Sequence, residues 1–211
     1  MTKVPVAGNV KTRLQPFLSA EQCAELSKCF LLDTISKIES LQISLITAYA
    51  PIESKDVLLE ILPAEQTLVE QNGADLGERM FNAFQFAFAG NLDAAVMIGT
   101  DSPTFPGAFI TRAFESLLKN DAVLGKTTDG GFYLIGLSVL RKEILENVEW
   151  SSPQTFEQTM RNMENYGLRL ALLPVWYDVD TPDDLKTLMA DLATNPACAP
   201  KTFEFMKNFY K

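Results

Sequence analysis

The chain has 211 residues, no histidine and a formal net charge of −9, from 18 Lys and Arg against 27 Asp and Glu. The lack of histidine excludes catalytic triads, Cys-His dyads, HExxH zinc sites and haem-ligating histidines, because each of these sites needs an imidazole. The acidic balance argues against binding to a nucleic-acid backbone, which normally requires a net basic surface.

The length and composition predict one globular domain over residues 1–211, with a C-terminal tail over 193–211. Hydrophobic residues make up 47% of the chain, which is enough apolar surface for a core. Cys23, Cys29 and Cys198 form no CxxC pair, so reduced core thiols are favoured over disulfides or a zinc knuckle. No run approaches the roughly 18 apolar residues of a membrane span, and Met1–Arg13 lacks the apolar stretch of a signal peptide. We therefore expect a cytoplasmic protein.

The first half of the chain predicts a helix, a strand and a second helix. Ser19 and Gln22 form a capping-box pair at the start of an amphipathic helix that extends to Ser40. Residues 42–48 predict a short, largely apolar strand that Ala50-Pro51 terminates. A helix is predicted over Leu76–Ala89, where apolar residues recur about one turn apart.

The second half of the chain continues the alternation of strands and helices. Ala94–Gly99 is a continuous apolar run, which is typical of a strand buried on both faces. This alternation predicts an α/β protein. The other predicted elements are a helix over Gly107–Lys119, strands over Ala122–Gly125 and Phe132–Leu137, a helix near Arg141–Asn147, a helix begun by Ser152-Pro153 and ended at Gly167, a strand over Leu168–Leu173, and a helix capped by Thr181-Pro182 that extends to Asp191.

A loop with glycine and several cations precedes the first helix. It extends from Lys3 to Leu14 and contains Gly8, Lys11, Thr12 and Arg13. Backbone amides at such a turn, together with Lys and Arg, suit a diphosphate, because Arg binds oxygens in a bidentate way and Lys acts as a point charge. An ordinary basic surface arm is an equally good interpretation of the composition.

Asp101 directly follows the predicted strand that ends at Gly99, within Thr100-Asp101-Ser102-Pro103. Ligands of open α/β sheets gather beyond the carboxyl ends of the strands, where a lone carboxylate can hold Mg²⁺ or Mn²⁺ against the phosphates of a nucleotide. A helix N-cap would explain an aspartate before proline equally well.

Four aspartates lie close together near the end of the chain. Asp178 and Asp180 would face the same side of an extended segment, whereas Asp183 and Asp184 fall in the first turn of a predicted helix and complement its dipole. Hard cations prefer several oxygen ligands. We therefore assign the first pair to metal binding and the second pair to helix structure.

A turn with two glycines separates two of the predicted strands. Gly130 and Gly131 would let the backbone approach a ligand closely and leave Asp129 exposed. Asp-Gly is also the usual signal of a hairpin turn, and on its own this segment is best interpreted as a turn.

Taken together and in this order, these segments resemble a family of bacterial glycosyltransferase-like proteins with the GT-A, or nucleotide-diphospho-sugar transferase, fold. More distantly, the chain is similar to the 2-phospholactate guanylyltransferases, which share the K-T-R-L and D-V-D-T-P elements. The ordered set of motifs is specific and covers the chain up to about Leu192. The matching segments are Lys3–Leu14, Asp33-Thr34, Asp75–Met80, Gly99–Pro103, Thr128–Leu137, Trp150-Ser151 and Asp178–Leu185.

The resemblance implies a three-layer α/β/α sandwich with a mixed, mostly parallel sheet. In the family, a hydrophobic strand that carries part of the nucleotide pocket precedes the position of Lys3. Here the chain begins at Met1. The first strand is therefore expected to be missing or truncated.

The resemblance also implies a site. Lys11, Arg13 and Arg79 would contact the phosphates of the nucleotide, Asp101 with Asp180 or Asp178 would bind the divalent metal, and Asp129 would face the acceptor. The full set of implied substrate-binding residues is Lys3, Gly8, Lys11, Thr12, Arg13, Asp75, Arg79, Thr100, Gly130 and Gly131.

These expectations combine into a metal-dependent transferase that uses a nucleotide-activated donor. The favoured reaction is glycosyl transfer from a nucleoside diphosphate sugar to a small-molecule acceptor. Mg²⁺ or Mn²⁺ on Asp101 and Asp180 would be the Lewis acid. A carboxylate such as Asp129 must supply any general base, since no histidine is present. The alternatives are nucleotidyl transfer, with release of pyrophosphate from a nucleoside triphosphate, and non-catalytic nucleotide binding.

Overall fold

A computed structural model describes residues 1–63 and 66–209 of the chain. The strands in this part of the chain are β1 (Thr2–Lys3), β2 (Ile46–Ala50), β3 (Thr67–Glu70), β4 (Ala95–Ile98), β5 (Ala122–Thr127), β6 (Phe132–Leu137) and β7 (Leu170–Trp176). The helices are α1 (Ala20–Ser40), α2 (Lys55–Ile61), α3 (Leu76–Phe88), α4 (Ala108–Leu117), α5 (Thr155–Asn165), α6 (Pro182–Thr194) and α7 (Pro200–Lys207). The α/β class predicted from the sequence is confirmed.

The described residues form two compact units. The first unit contains the described residues of Met1–Leu68, Thr100–Gly107 and Asp178–Lys211. The second unit contains Val69–Gly99 and Ala108–Tyr177. Each unit is therefore assembled from separate stretches of the chain. That residues 1–211 act as one domain stays a prediction.

The first unit is organised by β1, β2 and the long helix α1. β1 pairs with β2 in parallel, with Thr2 opposite Tyr49, in a sheet of order β1-β2-β3. Ser19 and Gln22 form the predicted capping box at the start of α1. A hydrophobic cluster of this unit is formed by side chains from β2, α1, α2 and the residue after β1: Val4, Leu31, Ile35, Tyr49 and Leu58.

Asp33 of the Asp33-Thr34 pair has a structural role in this unit. The Asp33 carboxylate is buried and accepts the backbone N–H groups of Lys201, at 3.0 Å, and Thr202, at 2.8 Å. These amides lie in the first turn of α7, where a helix has backbone donors without intrahelical partners. Asp33 thereby connects α1 to α7.

The second unit contains a four-stranded mixed sheet of order β4-β6-β5-β7. β6 is antiparallel to both β4 and β5, whereas β7 is parallel to β5. Three of the four residues of β4 are only partly buried. The expectation of a strand buried on both faces is therefore wrong, because β4 lies at the edge of this sheet.

Several predicted boundaries agree with the structure and others need correction. β6 has the predicted bounds, and α3 begins where predicted, at Leu76. The strand predicted over 42–48 lies instead at Ile46–Ala50, although it ends at Pro51 as expected. The predicted tail contains α7, and residues 210 and 211 lie outside the described residues. The sequence patterns missed α2 and β3.

Two predicted helix features in the second unit are wrong. The segment near Arg141–Asn147 is only a short 3₁₀ turn over Lys142–Leu145, because Glu146 is extended and Asn147 is left-handed with φ 56°. α5 begins at Thr155 with Gln154 as its N-cap, so Ser152-Pro153 precedes the helix. The Ser152 hydroxyl instead accepts the Gln154 N–H at 3.1 Å.

The first strand of the described residues, β1, has only two residues. That the first strand of the family is missing or truncated stays a prediction. Across the part of the chain that the structure describes, no helix combines the length and the apolar character that crossing a bilayer requires.

Candidate functional site

Lys11 lies at the centre of a group of charged side chains in the first unit. Its side chain is only 4% exposed, and its Nζ donates to the Val179 carbonyl at 2.7 Å and to Asp180 Oδ1 at 3.0 Å. Nζ also forms an ion pair with Asp101 Oδ1. The structure thus brings two of the predicted metal ligands, Asp101 and Asp180, to one cation.

The backbone holds both the segment of Lys11 and the two segments that carry the aspartates. Lys11 has the left-handed conformation, with φ 48° and ψ 36°, directly before a 3₁₀ turn over Thr12–Leu14. The Val179 N–H donates to the Asp101 carbonyl at 2.9 Å, which joins the two aspartate-bearing segments. A non-glycine residue in the left-handed region is uncommon and frequently marks a functional site.

The surroundings of Lys11 favour its charged form. Burial disfavours a charged ammonium, but the carboxylates of Asp101 and Asp180 outweigh this effect and raise the pKa of Lys11 above its ordinary value. The Phe30 ring lies beneath Nζ, with 5.5 Å between Nζ and the ring centroid. The two carboxylates therefore favour a protonated Lys11 within this group.

The side chains around Lys11 are more exposed to solvent than Lys11 itself. The side chains of Asp101 and Asp180 are 50% and 37% exposed, and that of Arg13 is 70% exposed. Arg13 Nη1 lies 3.9 Å from Asp180 Oδ2, the oxygen that Lys11 does not contact. An exposed guanidinium beside exposed carboxylate oxygens can bind phosphate.

The structure separates Asp178 from Asp180. The Ser102 hydroxyl donates to Asp178 Oδ1, whereas Asp180 shares Lys11 with Asp101. The structural role of the next two aspartates is confirmed: Asp184 forms a capping box with Thr181 at the start of α6, and Asp183 pairs with Lys186 at 2.7 Å.

The N-cap interpretation of Asp101 is wrong. The next helix along the chain, α4, begins only at Ala108, so the Asp101 carboxylate does not cap it. The carboxylate is instead directed to Lys11. The metal-binding role of Asp101 stays a prediction.

The donor set of Asp101 and Asp180 fits a divalent ion bound together with phosphates. Their carboxylates already converge on one cationic position. Mg²⁺ is usually bound by one or two carboxylates plus substrate phosphates, so a pair is sufficient. Among the described residues, no group of three or more His, Cys, Asp or Glu side chains could hold a metal ion.

The other predicted site residues of the first unit have these positions. Lys3 is exposed on β1, and Thr12 is exposed in the 3₁₀ turn. Gly8 has φ +83°, and a Cβ placed there would have no neighbour within 4 Å. Thr100 Oγ1 lies 3.4 Å from Thr2 Oγ1.

The remaining predicted site residues belong to the second unit, where each has a local structural partner. Asp75 is the N-cap of α3, and its Oδ1 accepts the Glu78 N–H at 2.8 Å. Arg79 Nε donates to the Gly73 carbonyl at 3.1 Å. These contacts stabilise the start of α3.

The turn at Asp129 is built as its sequence predicts. Asp129 Oδ1 accepts both the Thr127 hydroxyl, at 2.6 Å, and the Gly131 N–H, at 3.0 Å. Gly130 has φ +94°, and a Cβ there would lie 2.2 Å from the Pro153 carbonyl oxygen. The glycine is thus required by conformation and by the close approach of another backbone.

Sequence reasoning missed two residues that support Asp101 and its neighbours. Ser102 donates to Asp178, and Lys37 on α1 donates to the carbonyls of Pro103, at 2.7 Å, and Phe105, at 2.6 Å. Burial lowers the pKa of Lys37 to about 8. The available signal was a cation seven residues after Phe30, on the apolar face of the helix.

Comparison with known proteins places the chain in a family. Residues 34–152 match the model of a family described as an uncharacterized protein conserved in bacteria, DUF2064. The chain belongs to this family. The chain is also similar to a protein of Desulfovibrio desulfuricans G20, which is provisionally assigned as a nucleotide-diphospho-sugar transferase and whose crystal structure is known. The two sequences are 30% identical. The structures superpose with a TM-score of 0.92, over 98% of this chain and 91% of that chain. The predicted fold is thereby confirmed.

More distant structures share the fold. The 4-diphosphocytidyl-2C-methyl-D-erythritol synthase of Anaerococcus prevotii DSM 20548 is 13% identical, with a TM-score of 0.60 over 91% of this chain and 94% of that chain. A manganese complex of Rv0371c from Mycobacterium tuberculosis H37Rv is 16% identical, with a TM-score of 0.52 over 90% of this chain and 95% of that chain. No curated protein shows significant similarity to the chain.

Proposed function

We propose that this protein is a metal-dependent transferase that uses a nucleotide-activated donor, a nucleoside diphosphate sugar. The observation that carries the proposal is the convergence of Asp101 and Asp180 on the Lys11 ammonium, beside the exposed Arg13. A carboxylate pair that already holds a cation suits a divalent ion, and an exposed guanidinium suits a diphosphate. The 30% identity to a protein provisionally assigned as a nucleotide-diphospho-sugar transferase supports the same donor class.

Asp101 and Asp180 would hold Mg²⁺ or Mn²⁺ in this proposal. Such an ion acts as a Lewis acid that stabilises the negative charge of a leaving diphosphate. Arg13 binds the diphosphate from the open side of the site and neutralises part of its charge. The manganese in the Rv0371c structure, on the same fold, supports the choice of ion.

The other predicted contacts are part of the proposal. Asp129 would serve as the base for the acceptor, and Asp178 would support the metal-binding pair. The wider set of substrate contacts is Lys3, Gly8, Thr12, Asp75, Arg79, Thr100, Gly130 and Gly131.

A second candidate is nucleotidyl transfer, in which an acceptor attacks the α-phosphate of a nucleoside triphosphate and pyrophosphate leaves. One observation favours it: Asp129 Oδ1 already accepts hydrogen bonds from Thr127 and Gly131 in the turn, so this oxygen is occupied and less accessible to the proton of an acceptor. An ionised phosphate or carboxylate acceptor needs no base. The fold of the 4-diphosphocytidyl-2C-methyl-D-erythritol synthase agrees with this alternative.

Calorimetry and product analysis test both candidates. UDP-sugars, GDP-sugars and nucleoside triphosphates are titrated into the protein with Mn²⁺ or with EDTA. We expect Mn²⁺-dependent binding of a nucleoside diphosphate sugar, and release of nucleoside diphosphate when an acceptor is supplied. Release of pyrophosphate from a nucleoside triphosphate would contradict glycosyl transfer and support nucleotidyl transfer. A folded protein that binds none of these ligands with Mn²⁺ would contradict both and indicate a non-catalytic protein.

A further inference from the structure

We infer that Lys11 is a positioning residue that stays bound beneath Asp101 and Asp180 when metal and donor bind. It holds one oxygen of each carboxylate, so that the other oxygen of each is presented to the divalent ion. Phosphate binding at this site then falls to Arg13. The inference rests on the proposed function and assigns Lys11 a different role from the phosphate contact that its sequence motif suggests.

The hydrogen bonds of the Lys11 ammonium are the first argument. An ammonium has three N–H donors. Its three acceptors here are Asp101 Oδ1, Asp180 Oδ1 and the Val179 carbonyl. Binding a phosphate would require Lys11 to break at least one of these bonds, two of which join it to ionised partners and are therefore strong.

The difference in burial between the two cations is the second argument. Lys11 is 4% exposed and Arg13 is 70% exposed, although they are separated by a single residue. The carboxylates of Asp101 and Asp180 are partly exposed. A ligand that arrives from solvent therefore meets Arg13 and the outer carboxylate oxygens before it could meet Lys11.

The backbone at Lys11 is the third argument. Its left-handed conformation leads into a 3₁₀ turn in which the Leu14 N–H donates to the Lys11 carbonyl at 2.9 Å. Leu14 is fully buried, which anchors this turn in the core of the unit. The backbone at Lys11 is thus fixed. An outward movement of the ammonium group would therefore disturb a packed segment.

The electrostatic role of Lys11 follows from these contacts. Two carboxylates that approach one point repel each other, and the repulsion is large where water is partly excluded. The ammonium offsets it and, with the hydrogen bond between Val179 and Asp101, holds both segments together before any ligand arrives. The two carboxylates are thus already oriented when a metal ion binds. Residues that contact the ligands of a metal, and not the metal itself, commonly have this role.

Metal affinity tests this role without measuring activity. Mn²⁺ binding in the absence of nucleotide is measured by electron paramagnetic resonance for the wild type, Lys11→Met and, as a control, Lys28→Met. Lys28 is a surface lysine of α1 that pairs with Glu25. We expect Lys11→Met to weaken Mn²⁺ binding about 10- to 100-fold, as the loss of a supporting residue does, and Lys28→Met to change nothing. Tighter Mn²⁺ binding by Lys11→Met would show that Lys11 competes with the metal and would overturn the inference.

Diphosphate binding separates a positioning lysine from a phosphate ligand. The affinity for a nucleoside diphosphate is measured in EDTA and in Mn²⁺ for the wild type, Lys11→Met and Arg13→Met. We expect Lys11→Met to retain the affinity measured in EDTA and to lose the gain that Mn²⁺ provides, whereas Arg13→Met loses affinity in both. If Lys11→Met weakens binding in EDTA as much as Arg13→Met does, Lys11 is a phosphate ligand and the inference fails.

Amine labelling reports the position of Lys11 in the wild-type protein. The protein is acylated briefly in EDTA, in Mn²⁺, and in Mn²⁺ with nucleoside diphosphate, and the modified lysines are identified by mass spectrometry. We expect Lys11 to stay unmodified throughout, while the exposed Lys186 is modified in every sample. Modification of Lys11 on addition of Mn²⁺ would show that it leaves the carboxylates and would contradict the inference.

A further variant controls for folding. Lys11→Met leaves both carboxylates without their cation, which could by itself unfold the protein. Lys11→Met with Asp180→Asn restores the net charge of the group and should recover most of the lost melting temperature; no recovery would contradict the electrostatic role. If the wild type binds no diphosphate with Mn²⁺, the proposed function fails, whereas the melting temperatures still report on Lys11 alone.

Discussion

At the scale of single residues, the aspartates of this chain divide by what their carboxylates contact. Asp33 and Asp75 each accept backbone N–H groups in the first turn of a helix. Asp184 accepts the N–H of Thr181, the N-cap residue of α6. Asp101 and Asp180 instead contact the buried Lys11. Identical side chains therefore have a structural or a proposed functional role according to their partner.

Asp101→Asn tests the role proposed for this aspartate. We expect metal-dependent nucleotide binding to fall at least about 100-fold, because one of the two metal ligands is lost. Loss of the ion pair with Lys11 should also lower the free energy of unfolding by about 1–2 kcal/mol, less than for a fully buried pair because Asp101 is half exposed. Calorimetry and urea unfolding provide the two measurements.

Asp183→Asn is the matched control for this substitution. Its carboxylate is exposed, lies on α6 and pairs with Lys186. It should leave both nucleotide binding and stability almost unchanged. Equal effects of the two substitutions would indicate a general effect of charge, and the proposed role of Asp101 would be wrong.

Gly130→Ala tests the close approach at the turn near Asp129. An added Cβ would meet the Pro153 backbone, with its oxygen at 2.2 Å, whereas at Gly167 a Cβ would meet nothing within 4 Å. Both glycines have positive φ, +94° and +70°, so both substitutions carry the same kind of backbone strain. We expect Gly167→Ala to cost about 1 kcal/mol and Gly130→Ala at least about 2 kcal/mol more in urea unfolding. Similar costs would show that the turn can move away from Pro153.

At the scale of elements, the starts of α1 and α6 follow local sequence, whereas the pairing of strands depends on distant partners. The capping boxes of α1 and α6 lie within four consecutive residues each. In contrast, the register of β5 and β7 sets Ala122 opposite Leu170. Just before this pair, Arg169 donates to Asp121 Oδ2 through N and Nε, at 2.8 and 3.0 Å, and to Oδ1 through Nη2, at 2.9 Å.

The Asp121 and Arg169 pair predicts a pH dependence of stability. The hydrogen bonds from Arg169 lower the pKa of Asp121 from its usual 3.8 to about 2. The unfolded chain therefore binds a proton at higher pH than the folded protein, so the stabilisation by Asp121 is complete above about pH 4 and is lost as the pH falls toward 2.

Urea unfolding of the wild type and Asp121→Asn at several pH values measures this effect. We expect the wild type to be the more stable at pH 7 and the difference to shrink between pH 4 and pH 2. Arg169→Gln should behave like Asp121→Asn, and the double variant should add little. A difference that does not change with pH would contradict the ion pair as its source.

At the scale of the whole molecule, the path of the chain links the two compact units repeatedly. The chain passes from one unit to the other after Leu68, Gly99, Gly107 and Tyr177. Neither unit is therefore a continuous piece of sequence. This connectivity is what a single domain over 1–211 would show, whereas independent domains usually follow one another along the chain.

The single-domain prediction is tested by the cooperativity of unfolding. We expect one thermal transition, with equal calorimetric and van't Hoff enthalpies, because four crossings of the chain tie the unfolding of one unit to that of the other. Tryptophan fluorescence follows the second unit, which contains Trp150 and Trp176. A fluorescence midpoint that differs from the midpoint by circular dichroism would show that the units unfold separately.

The sequence by itself determined the α/β class, the bounds of β6, the starts of α1, α3 and α6, and the turn at Asp129. These features depend on residues a few positions apart, which a local pattern contains. It misplaced the start of α5, because Ser152 accepts the Gln154 N–H in a turn that precedes the helix. It also predicted a helix where a short 3₁₀ turn lies, because the backbone is left-handed at Asn147.

Only the tertiary structure decided what the candidate site residues contact. Lys11 meets Asp180 across 169 residues of sequence, and Ser102 meets Asp178 across 76. Such pairings follow from the packing of distant segments, and no spacing in the sequence encodes them. The motif predicted Lys11 as a contact for a nucleotide, whereas the fold buries its ammonium between two carboxylates and leaves Arg13 exposed to solvent.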